Sequence, residues 1–361
     1  MSDFQPRRTV IRRPEPLTVG IDIGGTKVLG GVVDSTGRVL ARERRSTPGK
    51  SVQAVEDAIV DLVRHFSARH DIAAVGVGAA GFVDAARATV LFSPHLAWRN
   101  EPLRDALMKR LRLPVVVDND ANAAALAESR FGAGVGHRQV LCVTLGTGIG
   151  GALVIDNRIY RGANGMAGEF GHIQVVPRGH RCECGNRGCW EQYASGNALV
   201  RDARELIAAD SPVAHHLRDL VGSDPSRLTG PLVTQAARDG DPVAVELLAD
   251  VGTWLGVGLA GMAAAFDPSC IIVGGGVSEA GDLLLQPTRA AFARSLAGRG
   301  FRPEPPIFGA ALGLDAGFVG AADMARSAAR RSRRTRRRRR ERVTLRRGLL
   351  QPSRLRSSRP D

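Results

Sequence analysis

Between Asn164 and Gln192 the chain reads NGMAGEFGHIQVVPRGHRCECGNRGCWEQ, and no other stretch restricts the fold as tightly. Cys182, Cys184 and Cys189, three of the five cysteines, fall within eight positions, and His172 stands ten residues before the first. Three thiolates and one imidazole complete a tetrahedral shell, the set that a structural Zn²⁺ prefers. The short Cys-x-Cys link, with Gly185 and Gly188, lets a tight loop close around an ion. A closed shell has no position left for a metal-bound water, which argues against metal hydrolysis. Glu169 and Glu191 bracket the same knot. Reduced cysteines packed as small apolar residues would have no reason to cluster in this way.

A chain of 361 residues is long for one domain and suits two. No apolar run is expected to reach membrane-spanning length, and the basic start MSDFQPRRTVIRRPEP lacks the apolar segment of a secretory signal. A cytoplasmic protein with reduced thiols is the expectation. The net charge of +14 is confined to one end: residues 326–361 hold sixteen of the 50 basic and two of the 36 acidic side chains, leaving 34 of each before them. That tail has no aromatic residue to stack bases, so it promises non-specific attraction to polyanions and no specific nucleic-acid recognition.

In chain order, residues 1–16 read as a disordered lead-in. LTVGIDIGGTKVLGGVVD (17–34) is a pair of apolar strands around a glycine turn. Helical spacing follows over 51–69, a buried strand over 73–84, a helix over 101–113, and the strand PVVVDND (114–120) leading directly into a helix over 121–134. VLCVTLGTGIGGALVIDNRIY (140–160) repeats the opening plan, so the architecture reads as duplicated, with the site between the copies. Helices are expected over 198–208, 230–239 and 241–265, then a strand ending at Gly274, and a last small-residue helix over 309–326. An arginine-rich disordered tail, 327–361, completes the chain.

Glycine turns after strands let backbone N–H groups wrap a phosphate. Three occur here: Asp22-Ile23-Gly24-Gly25-Thr26-Lys27, Thr144-Leu145-Gly146-Thr147-Gly148, and Gly274-Gly275-Gly276. None has the spacing of a P-loop or a dinucleotide fingerprint. Together they favour a nucleotide between two lobes, with Asp22 suited to Mg²⁺ and Lys27 to phosphate charge. Asp118-Asn119-Asp120 ends an apolar strand, where an open α/β sheet binds its ligand. Several carboxylates and an amide around one pocket match a polyhydroxylated ligand such as a sugar.

DIGGTK, DNDAN, TLGTGIGG, GEFGH and CECGNRGCWEQYASG, in this order from about Leu17 to Arg326, resemble the ROK family of repressors, open reading frames and sugar kinases. PHLAWRNEPL and CWEQYASG look most like its ATP-dependent glucokinases. The resemblance implies an α/β, actin-like ATPase (ribonuclease-H-like) two-domain fold with an interdomain cleft. It divides the chain into 17–120, completed by 309–326, and 121–308, which carries the zinc loop. It implies ATP, Mg²⁺ and a structural Zn²⁺ on His172, Cys182, Cys184 and Cys189. Asp120 would be the base, and Asn119, Asp120, Glu169, His172 and Glu191 would hold the sugar. The first two glycine turns would hold phosphates, and 274–276 would lie near the adenosine. Where relatives carry Asn after Pro94, His95 stands here and is expected to serve as the sugar donor. Further copies of the chain are expected as partners, giving a homo-oligomer.

The implied reaction is phosphorylation of glucose at its 6-hydroxyl. An N-acetylhexosamine kinase is the alternative, because these contacts do not see the second carbon. A sugar-responsive regulator is disfavoured, since only sixteen residues precede Leu17 and no helix-turn-helix segment is among them.

Overall fold

A computed structural model describes residues 16–48, 51–94, 96–222 and 224–330. Most of the lead-in (1–15), His95 and most of the arginine-rich tail (331–361) lie outside the described residues.

The first half runs β1 (Leu17–Ile23), β2 (Lys27–Val33), β3 (Val39–Ser46), α1 (Val52–Ser67), β4 (Ile72–Ala79), β5 (Phe82–Val83), β6 (Val90–Phe92), β7 (Arg99–Glu101), α2 (Leu103–Leu111), β8 (Val115–Asn119) and α3 (Asp120–Phe131). The second half runs β9 (Gln139–Leu145), β10 (Ile149–Ile155), β11 (Arg158–Tyr160), α4 (Gly196–Ala208), α5 (His215–Val221), α6 (Gly230–Arg238), α7 (Pro242–Phe266), β12 (Cys270–Gly274), α8 (Asp282–Ser295) and β13 (Ile307–Gly309). A last helix, α9, occupies 316–330.

Two five-stranded sheets result, ordered β3-β2-β1-β4-β8 and β11-β10-β9-β12-β13. Each is an antiparallel meander of three strands extended by two parallel ones, reached through helical crossovers. The inner strands β1, β4, β9 and β12 are largely apolar and almost wholly buried, because helices cover both faces of each sheet. The edge strand β3 alternates half-buried and exposed positions and carries Arg42, Glu43, Arg44 and Arg45, charges that discourage further pairing. This twofold use of one strand order is the actin-like, ribonuclease-H-type α/β fold.

Helix starts follow local chemistry. Ser51 caps α1 by accepting from Ala54 N, and Val55, Ile59, Leu62, Val63 and Phe66 then bury one face. Asp241 caps α7 by accepting from Ala244 N, and Pro242 occupies the first turn, where its missing N–H costs nothing. By length and composition α7 could cross a membrane, contrary to the expectation that no run would reach that length. Of its most apolar window 61% is buried inside the protein, and it packs along α8 as a core helix.

The last helix departs from the expected 309–326. Residues 307–309 pair with β12 as a strand, and the helix starts at 316. It continues through 330, so 327–330, expected in the tail, are helical. Arg326 is 2% exposed: its guanidinium donates to Asp323 Oδ1 at 2.9 Å, Thr18 Oγ1 at 2.9 Å and Val33 O at 3.0 Å. It belongs to the core that a charge count assigned to the tail.

α9 lies directly on the first sheet. A Cβ on Gly20 would overlap the Phe318 carbonyl, and one on Gly76 would overlap the Ala321 carbonyl. Gly76→Ala is therefore expected to destabilise the fold by about 1–3 kcal/mol, the usual cost of overpacking. Gly261→Ala, mid-helix in α7 with nothing within 4 Å of the new methyl, should be neutral or stabilising. Thermal melts of the two variants check the contrast.

Candidate active site and metal centre

Asp120 is the first residue of α3, set by the strand β8 that ends one residue before it. Asn119 caps that helix: its Oδ1 accepts from Asn122 N at 3.0 Å, and its Nδ2 donates to Gly81 O at 3.2 Å. An amide nitrogen carries two hydrogens, so Asn119 retains a donor for a ligand hydroxyl. Asp120 Oδ1 accepts from Ala121 N at 2.9 Å, which fixes the carboxylate at the helix start.

Asp118 has a different part. Buried at 2% exposure, its carboxylate meets Arg161 Nη2 at 2.6 Å and Arg87 Nε at 2.9 Å, and accepts from Asn122 Nδ2 at 3.1 Å. Two arginines and an amide engage both of its oxygens, so Asp118 is taken up by contacts within the protein. Neither arginine was legible in the sequence as a site residue. Arg161 lies just past β11 and Arg87 in the β5–β6 turn, and only the folded chain brings them together.

Around Asp120 the acidic groups feel one another. Burial, reinforced by Asp120, pushes the Asp22 carboxyl from 3.8 up to about 7, against a smaller pull downward from Lys27. Burial also raises Glu169, with His172 opposing and Asp120 and Glu191 adding to the rise. Asp22, Lys27, Asp120, Glu169, His172 and Glu191 thus share one region, drawn from four separate stretches of chain.

The glycine turns frame it. Gly25 and Thr26 are exposed at the β1–β2 tip, where Gly24 N donates to Lys27 O at 3.0 Å and Gly24 O accepts from Thr47 Oγ1 at 2.8 Å. Thr144 is half-buried in β9, and Gly146 and Thr147 are exposed beyond it. That second turn is tied to the start of α4: Gly196 N donates to Gly146 O at 2.9 Å and Asn197 N to Thr147 O at 3.3 Å. A Cβ on Gly148 would stand 2.5 Å from Glu191 Oε2, which places this carboxylate directly beneath the turn. Gly274 ends β12, and Gly275 and Gly276 are exposed. Gly275 has φ +86°, and its missing side chain lets the third turn lie against the Leu145 backbone. The second and third turns are therefore adjacent.

His172, Cys182, Cys184 and Cys189 bring one donor atom each to within 4.8 Å of all the others. His172 Nδ1 faces Cys182 Sγ at 3.6 Å, and Cys184 Sγ stands 3.6 Å from Cys189 Sγ. Sulfur ligands about 2.3 Å from a tetrahedral ion lie roughly 3.8 Å apart, so the donor set fits a metal ion. Gly185 and Gly188 adopt φ +95° and +74°, the conformations that close the loop. Glu191 Oε1 lies 3.4 Å from His172 Nδ1, so the metal loop and the acidic cluster touch. Trp190 anchors the knot: it is buried, its Nε1 donates to Trp254 O at 2.8 Å, and Gly258 leaves room for the indole.

Residues 18–328 match the ROK family. The glucokinase of Streptomyces coelicolor is 50% identical over 310 residues, covering 86% of this chain and 98% of its own. The xylose repressor of Bacillus subtilis is 28% identical, covering 79% of this chain and 71% of its own. Among solved structures, a ROK family glucokinase from Streptomyces griseus in complex with glucose and AMPPNP is 52% identical with a TM-score of 0.80, covering 86% of this chain and 99% of that one. With the duplicated sheets, the thiol knot and the carboxylates assembled at the start of α3, the chain belongs to the ROK family.

Proposed function

We propose that this protein is a glucokinase that transfers the γ-phosphoryl group of ATP to the 6-hydroxyl of glucose. The observation that carries the reading is the place of Asp120: at a rigid strand-to-helix junction, near enough to Asp22 of a glycine turn and to Glu169 for their charges to interact, with His172 and Glu191 acting on Glu169 in the same way. The nucleotide and glucose bound by the Streptomyces griseus relative support the same assignment.

In this reading Asp120 accepts the proton of the attacking hydroxyl, a role open to a positioned carboxylate. Asn119, Glu169 and Glu191 hold the remaining hydroxyls, joined by the His172 nitrogen that faces away from the thiols. Backbone N–H groups at 24–26 and 146–148 cradle phosphates, 274–276 borders the adenosine, and Lys27 meets phosphate charge. The interacting carboxylates of Asp22 and Asp120 suit a divalent cation, and Mg²⁺ held by them would neutralise charge on the transferring group. Zn²⁺ on the thiol knot would supply shape: by fixing one imidazole nitrogen it aims the other. The division into 17–120 with the last helix, and 121–308, is part of the proposal. So are a cytoplasmic location and assembly into a homo-oligomer.

Asp120→Asn keeps size and capping ability but cannot take a proton. Its kcat is expected to fall by about two to four powers of ten, while glucose affinity by calorimetry stays close to that of the parent. Near-parental turnover would remove Asp120 from the role. Metal analysis should find one zinc per chain, and Cys184→Ser should lose it and make the 172–190 loop sensitive to protease. A metal-free protein with an intact loop would refute the centre.

Asp22 also gives a pH signature. Its raised folded value means that the folded state binds the extra proton between about pH 4 and 7, so this group favours folding at low pH and opposes it once ionised. Without nucleotide or magnesium, Asp22→Asn should raise the melting temperature by a few degrees at pH 8 and scarcely at pH 4. Equal melting shifts at both values would show that the carboxyl is not perturbed.

A further inference from the structure

Phe92 and Arg99 are cross-strand partners on β6 and β7, and the Arg99 guanidinium carbon stands 4.2 Å from the centre of the Phe92 ring. From this perch Nη1 alone donates to three backbone carbonyls of the connecting turn: Ser93 at 2.7 Å, Leu96 at 3.1 Å and Trp98 at 2.7 Å. Ser93 N closes the base of the turn onto Trp98 O at 3.3 Å. Carbonyl dipoles aimed at one point repel, and a permanent positive charge at that point reverses the sign of the interaction. The turn is built around the guanidinium.

Hydrogen bonds and close packing join this turn to the sugar side of the site. Ser93 is fully buried and its Oγ donates to Ala80 O at 2.6 Å. Gly81 follows with φ +145°, packed so closely that a Cβ would fall 2.9 Å from Ser93 Cα. Asn119 Nδ2 donates to Gly81 O, and Asn119 Oδ1 caps the helix that begins at Asp120. A short bonded path therefore runs from an exposed arginine to the amide proposed to hold a sugar hydroxyl. Ala80 N also donates to Ile23 O at 3.2 Å, one residue before the first glycine turn, but that turn is closed by its own Gly24–Lys27 bond and by Thr47, and the turn at 146–148 is held by the start of α4.

We propose that Arg99 is a positioning residue for the sugar: by gathering the carbonyls of Ser93, Leu96 and Trp98 it sets the wall that Asn119 leans on, and so tunes affinity for the polyol. The inference rests on the sugar-kinase reading of the site. Arg99 touches no substrate and acts through Ser93, Gly81 and Asn119. Its influence falls on binding of the sugar, because Asp120 is held independently by Ala121 N and by its place at the head of α3. A lysine there would keep the charge without the planar fork.

The test is steady-state kinetics of the full chain, with glucose and ATP varied separately, for the parent, Arg99→Met, Arg99→Lys and Ser93→Ala. Arg99→Met should raise the glucose KM about tenfold or more, leave the ATP KM within about twofold, and lower kcat far less than kcat/KM for glucose. Arg99→Lys should lie between, and Ser93→Ala, which removes one link, should raise the glucose KM about threefold to fivefold. If Arg99→Met fails to fold, Ser93→Ala and Arg99→Lys carry the same test. An unchanged glucose KM in these variants, beside an active parent, overturns the inference alone. Parallel rises in both KM values with a lower melting temperature overturn it too, since they mark general structural damage. A parent inactive on glucose overturns the sugar-kinase reading beneath it.

Discussion

A carboxylate removed from water needs compensation, and Asp118 receives it from Arg87 and Arg161 together. Taking one partner from such a cluster leaves a buried charge and costs about 3–5 kcal/mol. The geometry matters more than the energy. Asp118 is the penultimate residue of β8, Arg87 lies in the turn between β5 and β6 in the first half, and Arg161 opens the loop after β11 in the second. That loop closes on itself through Ala167 N to Arg161 O at 3.1 Å and runs on to Glu169. The spacing between Asp120 and Glu169 is thus braced two residues from the first and eight from the second, by an ion pair between the two halves.

The thiol knot completes the same side of the site by different means. Few apolar side chains are available between His172 and Cys189, so hydrophobic packing cannot hold the loop, and a metal ion on the donor set would supply the constraint that a core supplies elsewhere. Trp190 then fastens it to α7, the buried helix at the centre of the second half. Rigidity passes from α7 through Trp190 to Cys189, and from the knot to His172 and Glu191.

Much of this could be read from residues alone because the relevant signals are local. Apolar runs ending in glycine marked β1, β9 and β12; Cys and His spacing marked the metal donors; and a polar exit from an apolar strand marked Asp120. What escaped depends on contacts between distant segments. Arginine is common in this chain, and nothing near Arg87, Arg161 or Arg99 announces its partners. Arg326 was expected at the end of the last helix while its charge was counted with the tail's, and nothing local shows that Thr18 and Val33, some three hundred residues away, accept from it in the core. The stretch 309–315 has the small residues of a helix, but pairing with β12 claims its start as strand and delays the helix to 316. Asn119 was expected to hold the sugar; in the structure it caps α3, and the cap and the Gly81 bond use only part of its hydrogen-bonding capacity.

α9 carries a consequence for how the chain reaches this state. Its carbonyls lie where Gly20 and Gly76 have no side chains, so it forms one whole covering layer of the first sheet. During synthesis β1 and β4 emerge early, and their face stays uncovered until residues 316–330 have been made. The first half of the protein therefore cannot complete its core as a vectorial, N-terminal-first unit, which is the common order for multidomain chains. The second sheet, whose strands and helices are contiguous from 139 to 309, faces no such delay. The half that is synthesised first is the half that closes last, and until then two glycine-lined strands remain exposed to whatever else is folding nearby.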